Sequence, residues 1–184
     1  MTYYGPKEMA ASFRTVRGNT IEIAEEIPEE SYSFRAAPGC RSVAETLVHI
    51  AVGPRFQEQI HLIEHRDSLM GFDFFAFLDK QVALEKVTRS KAEILEMLRT
   101  EGEKYAKALE GLSDSFLAES VQFAPGMVPP SKSRFEMLLA PKEHEMHHRG
   151  QLMLVQRMLG MVPPLTRHMQ ERVAAMRAAA AKTA

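Results

Sequence analysis

The sequence predicts an all-α fold, a four-helix bundle, and three observations carry that prediction. Apolar residues recur at three- and four-residue steps through most of the 184 positions. Three Ser-x-x-Glu capping boxes, SVAE at 42–45, SKAE at 90–93 and SRFE at 133–136, each open such a run. No stretch shows a convincing strand alternation, and no internal repeat is present.

The first helix is expected over 7–27, where Met9, Phe13, Val16, Thr20, Ile23 and Ile27 form one stripe. Pro6 stands near its start, where a missing N–H costs least, and Pro28 ends it. The second is expected over 42–65, with Pro54 placing a kink soon after His49. The connection 66–89 contains GFDFFAFL, too apolar for a solvated linker, and so predicts a short helix packed over one end. A third helix over 90–110 stops at Gly111. FAPGMVPPSKS, with three prolines and a glycine, reads as a loop. The fourth helix, 133–160, carries Pro141 as a second kink and stops at Gly160. Beyond Pro163 and Pro164 the tail is alanine-rich, favouring helix, yet polar enough to be an exposed or partner-bound appendage. The expected organisation is a bundle domain over 1–164 and a helical tail over 165–184. The long second-to-third connection permits a topology other than up-and-down.

Composition narrows the function classes. A formal charge of −1 creates no strong field toward nucleic acid or an acidic membrane, so neither is an expected partner. Cys40 is the single cysteine, which excludes an intrachain disulfide and a thiolate cluster for structural zinc; it reads as a loop residue. MTYYGPKEMAASF lacks the regions of a signal peptide, and no apolar run approaches a membrane span, so a cytoplasmic protein is expected.

The histidines carry the chemistry. In HEMHHRGQL, residues 144–152, His144 and His148 share a stripe with Met137, Pro141, Gln151, Leu152, Val155, Leu159 and Val162, while His147 falls at its edge. Two imidazoles one turn apart on an inner face either share an ion or form a hydrogen-bonded pair. A third, His49, lies on the apolar face of Gly53, Phe56, Ile60 and Ile63. His61 and His65 leave that face and read as solvated, and His168 sits in the polar tail. The selected trio is His49, His144 and His148. Three nitrogen ligands with no fourth define an open site, with a position left for water or substrate. No catalytic residue is singled out. Gln151 reads as a ligand-orienting group or a core hydrogen bonder, and Glu45 as a partner of His49 or only a cap. Arg55 and Arg149 read as anion-attracting or simply solvated.

Two known motifs compete. His144-Glu145-Met146-His147-His148 matches H-E-x-x-H of zinc proteases, but Gln151 and Leu154 stand where the extended motif needs Gly and His. A third ligand there would be Glu171, beyond the two prolines, and no strand is offered to hold a peptide. A ferritin-like di-iron site would use Glu58 with His61 and Glu145 with His148, yet Glu58 and His61 lie off the inner face.

SVAETLVHIA with His49, the later HEMHHRGQL, and IPEESYSFRAAPGCRS between the first two helices resemble the DinB-like (DinB/YfiT) family of four-helix-bundle proteins, over roughly 8–160. The resemblance implies one divalent ion per chain on His49, His144 and His148, with zinc or nickel placed ahead of iron or manganese. It implies frequent homodimers and, in some members, transfer of a low-molecular-weight thiol such as bacillithiol or mycothiol to a small-molecule electrophile. A metal-dependent thiol S-transferase is therefore one expectation, and a non-catalytic metal-stabilised or metal-sensing interaction protein the other. On this reading Glu145 is no general base, and its place beside His144 is coincidence. Phe135, Leu139, Met146 and Met153 form a second apolar line on the fourth helix, to be covered by a second copy or by Met169, Val173 and Met176 of the tail.

Overall fold

Each expected helix forms in the computed structural model, which describes residues 4–183. Helix α1 spans Pro6–Glu26. The second segment is composite: α2 (Val43–Val52) breaks at Gly53 and Pro54, resumes as the short α3 (Arg55–Gln57), and ends in a π-helical turn, Glu58–Ile63. The apolar connection folds as α4 (Phe74–Glu85), packed on α2. Helix α5 spans Lys91–Glu110, followed by the short α6 (Asp114–Ala118). Helix α7 runs from Arg134 to Met158 and stays helical through Pro141; α8 (Pro164–Thr183) follows Gly160, whose φ of 77° suits glycine. Ser42, Ser90 and Ser133 form capping boxes with both bonds made. Each such cap contributes about 1 kcal/mol.

Two expectations fail locally. Strands β1 (Ser120–Gln122) and β2 (Ser131–Ser133) pair antiparallel, Val121 opposite Lys132, β2 at the end of the FAPGMVPPSKS stretch that reads from sequence as a loop and β1 just before it. Three residues per strand are too few for an alternation to show. His61 is not solvated: it is fully buried, while Ile63 is 64% exposed. The cause is the π turn, in which Glu64 N–H reaches back five residues to Gln59 O. One extra residue in a turn rotates everything after it by roughly 100°, so a 3.6-residue period misplaces the end of this helix.

The outer apolar line of the fourth helix is also divided. Phe135 and Leu139 pack against the cluster around Met9 and Phe13, and Met153 packs against the other core cluster, leaving Met146 exposed. The tail does not cover it, since Met169, Val173 and Met176 are themselves exposed. Helix α8 instead returns to α1 through Arg167 with Glu26 and His168 Nε2 at 3.3 Å from Glu22. Among the described residues no helix is long and apolar enough to cross a membrane.

The core divides into two apolar clusters. One gathers Ile23, Leu47, Ile50, Ile94, Leu98 and Leu152; the other Met9, Phe13, Tyr105, Leu109 and Leu138. At the level between them along α1, α5 and α7 lies a buried ion pair. Arg17 Nε donates to both carboxylate oxygens of Glu145 at 3.0 Å, and both side chains are buried. The guanidinium also donates to Leu98 O at 2.8 Å and Ile50 O at 3.1 Å, so it touches all four long segments. Gly102 makes room for it: a Cβ there would stand 2.8 Å from Arg17 Cγ.

Arg17→Met should therefore lose about 3–5 kcal/mol of unfolding free energy in urea, because it strands a buried carboxylate. The double variant Arg17→Met, Glu145→Leu should recover most of that loss. Gly102→Ala should destabilise despite its better helix propensity.

Candidate metal centre

Helix caps and breaks place the three histidines. The Ser42 cap sets the register of α2, which carries His49 two turns in, just before the break at Gly53. Gly53 faces the α7 ring, and even a Cβ there would be in ordinary contact with it, 3.5 Å from His144 Nδ1. On α7, Glu145 is drawn inward by Arg17, which fixes the rotation that turns His144 and His148 toward α2.

The rings meet at their Nε2 atoms. His144 Nε2 lies 3.1 Å from His49 Nε2 and 3.0 Å from His148 Nε2. Among the described residues these three form a group whose metal-capable atoms all lie within 4.8 Å of one another. The outward nitrogens decide the tautomers. His49 Nδ1 donates to Glu85 Oε1 at 2.8 Å, and a carboxylate can only accept. His148 Nδ1 donates to Gln151 Oε1 at 2.8 Å. Both bonds leave the Nε2 lone pairs of His49 and His148 facing inward, and the single Nε2 of His144 cannot satisfy both with one proton in a good linear bond. A cation at that point satisfies all three. Nitrogen ligands about 2.0–2.1 Å from a tetrahedral ion stand roughly 3.3 Å apart, close to the two separations from His144, within a group that spans no more than 4.8 Å. Burial, the first cause in each case, lowers the pKa of all three, that of His144 to about 4 with neighbouring histidines adding to the shift. Neutral imidazoles are the form that binds metal.

Several supporting residues differ from those expected. Glu45 does not reach His49; it closes its capping box and accepts from Arg35 and Lys86. The partner of His49 is Glu85, a buried residue at the end of α4 that also accepts from Arg41 Nε at 2.6 Å. No periodic signal in the sequence marked it. Gln151 does hold a ring in place, that of His148, and its Nε2 lies 3.1 Å from His147 Nε2. Arg55 pairs with Glu101, so the cations beside the trio are Arg41 and Lys86 instead.

The competing motifs do not assemble here. The Glu145 carboxylate is held by Arg17, and Glu171 is exposed on α8. The place of Glu145 beside His144 has a structural reason, because its ion pair with Arg17 orients the helix that carries two members of the trio. Glu58 accepts from Lys104 at 2.9 Å. His61 accepts from Arg134 and donates to Gln57, both at 2.9 Å, leaving no free nitrogen.

Two cavities flank the trio. One, of ≈ 630 Å³, is lined on the His148 side by Cys40, Arg41, Thr46, Lys86, Gln151 and Leu154 among others. The second, of ≈ 320 Å³, opens on the His49 and His144 side among phenylalanines.

Comparison with known proteins agrees with this architecture. A model of the DinB family matches residues 1–178. The uncharacterized protein YjoA of Bacillus subtilis (strain 168) is 25% identical over 157 residues, covering 83% of this chain and 90% of its own. The crystal structure of YjoA, described as a DinB-like protein, superposes with a TM-score of 0.61 at 22% identity, over 84% of this chain and 93% of that one. That likeness concerns the fold.

Burial makes acid a destabiliser. His61 and His144 both titrate at about 4, burial being the main cause for each and Arg134 adding to the shift of His61. Unfolded histidine titrates near 6.5, so between about 4 and 6.5 the unfolded chain binds more protons and stability rises with pH. Metal-free protein should keep its full stability above about pH 6.5, lose it progressively down to about pH 4, and lose no more from these groups below that. Urea titrations across this range should show the slope, and His61→Gln should reduce it.

Proposed function

Since the chain belongs to the DinB family, we propose that it is a divalent-metal protein that works as a metal-dependent thiol S-transferase. One ion per chain would be held by His49, His144 and His148, zinc or nickel ahead of iron or manganese. The observation that carries this reading is the meeting of three Nε2 atoms, with the outward nitrogens of two of the rings, His49 and His148, engaged by Glu85 and Gln151. A divalent ion there supplies Lewis acidity, lowering the pKa of a bound thiol so that it is present as thiolate near neutral pH.

The chain's own residues supply the rest. Glu85 and Gln151 hold two ligand rings and raise their basicity. Arg41 and Lys86 line the cavity beside His148, where they favour a thiol carrying acidic groups. Arg41 shares its charge with Glu85 and Lys86 with Glu45, so this attraction is moderate. The nucleophilic sulfur comes from the small molecule: its thiol gives up a proton, its sulfur bonds the electrophilic carbon, and the leaving group departs with the bonding pair. Cys40 is exposed and has no part in that exchange. We also infer a homodimer, through the apolar side chains that α7 leaves exposed, Met146, Leu154 and Met158.

Metal analysis after mild dialysis should find one ion per chain, lost in His49→Ala, His144→Ala and His148→Ala and retained in His147→Ala. The loaded protein should accelerate conjugation of a low-molecular-weight thiol to an electrophile, and Cys40→Ser should keep most of that rate. Metal that raises the melting temperature, with no turnover across bacillithiol, mycothiol, glutathione and coenzyme A, would leave the non-catalytic reading. Light scattering should report twice the chain mass, falling to the monomer in Met158→Glu.

A further inference from the structure

The cavity on the His49 and His144 side has its own chemistry. Its walls are Val52 and Phe56 from the second segment, Phe74, Phe77 and Leu78 from α4, and Pro141 from α7. Phe56 meets Phe72, Phe74 and Phe77 edge-on at 5.6–5.7 Å, an arrangement that another aromatic ring extends without strain. At ≈ 320 Å³ it lies at the lower end of small-molecule sites. Glu85 is the carboxylate in its lining, neutralised by Arg41 and hydrogen-bonded by the neutral His49 ring.

One residue of this wall carries an unanswered polar atom. Gln81 lines the cavity, and its Oε1 is buried without a hydrogen-bond partner among the described residues. A buried acceptor left unpaired is costly, and a ligand with an O–H or N–H removes that cost. Gln81 and Phe77 also border a cavity on the other side of α4, but Glu64, Arg66, Asp73 and Lys80 line that one, which suits no apolar guest. Successive turns of α4 thus present Phe74, Phe77 and Leu78, Gln81, and finally Glu85 beside His49.

We propose that this cavity binds a small, uncharged, aromatic molecule with a hydroxyl or amine donor, its ring among the phenylalanines and its donor on Gln81 Oε1, which a turn of that side chain brings to the cavity surface. Its assignment as the electrophile's subsite rests on reading the histidine trio as the reaction centre; the binding itself does not.

The test uses 4-fluorobenzyl alcohol, 4-fluorotoluene and 4-fluorobenzoate as probes, with dissociation constants from fluorine NMR on metal-loaded and metal-free full-length protein. The alcohol should bind roughly three- to tenfold tighter than the toluene, the gain of one hydrogen bond, and the benzoate weakest. Gln81→Leu should erase the preference for the alcohol while keeping toluene binding. Leu78→Arg should block both, and because Leu78 is 39% exposed it should not disturb the fold; Phe74→Arg, at a site 45% exposed, is the second blocking variant. Equal binding of alcohol and toluene, a preference that survives Gln81→Leu, or binding untouched by both arginine variants would overturn the proposal. Metal content, measured on the same samples, separates the two claims. Ligand binding without metal uptake sinks the metal reading alone, and metal uptake without ligand binding sinks this one.

Discussion

The arrangement of this molecule depends on a buried ion pair. Arg17 reaches Glu145, Leu98 O and Ile50 O at once, so a single side chain sets the relative height of all four long helical segments. Burying such a pair is not a gain in itself, because desolvation offsets most of the attraction. What it provides is register. With all three guanidinium nitrogens engaged, α7 cannot slide or turn without stranding a charge. His144 is the neighbour of Glu145 and His148 stands three residues on, so that register is what brings two rings to His49.

The sequence showed this only in part. Helices were legible because caps and apolar stripes are local, and the three serine boxes mark starts whatever surrounds them. The trio was legible because each of its histidines interrupts an apolar face. Arg17 was not, since a charged residue next to the stripe of α1 looks like its solvated edge, and nothing nearby in sequence names a partner on α7. His61 was misplaced for a different reason. The extra residue of the π turn breaks the period on which the reading relied. Glu85 is separated from His49 by a connection whose path no periodicity describes, and the two short strands leave too few residues for a pattern.

Helix α4 gives that long connection a purpose. Its apolar residues wall a cavity, and its last residue holds the Nδ1 of His49. The outward hydrogen bonds to Glu85 and Gln151 matter as much as the inward geometry, because they choose the tautomers and leave lone pairs facing one another. A zinc-protease motif is present as a string of letters. Its glutamate is spent on the fold, and its two histidines join a third from another helix.

The central claim is that His49, His144 and His148 hold one divalent ion through their Nε2 atoms. The most direct measurement is anomalous scattering from crystals of the metal-loaded protein at the absorption edge of the bound element. The account predicts one strong peak per chain, within bonding distance of those three nitrogens and of no carboxylate. A peak bonded by His147, by Glu145 or by Nδ1 atoms, or no peak in protein that retains its fold, would contradict it.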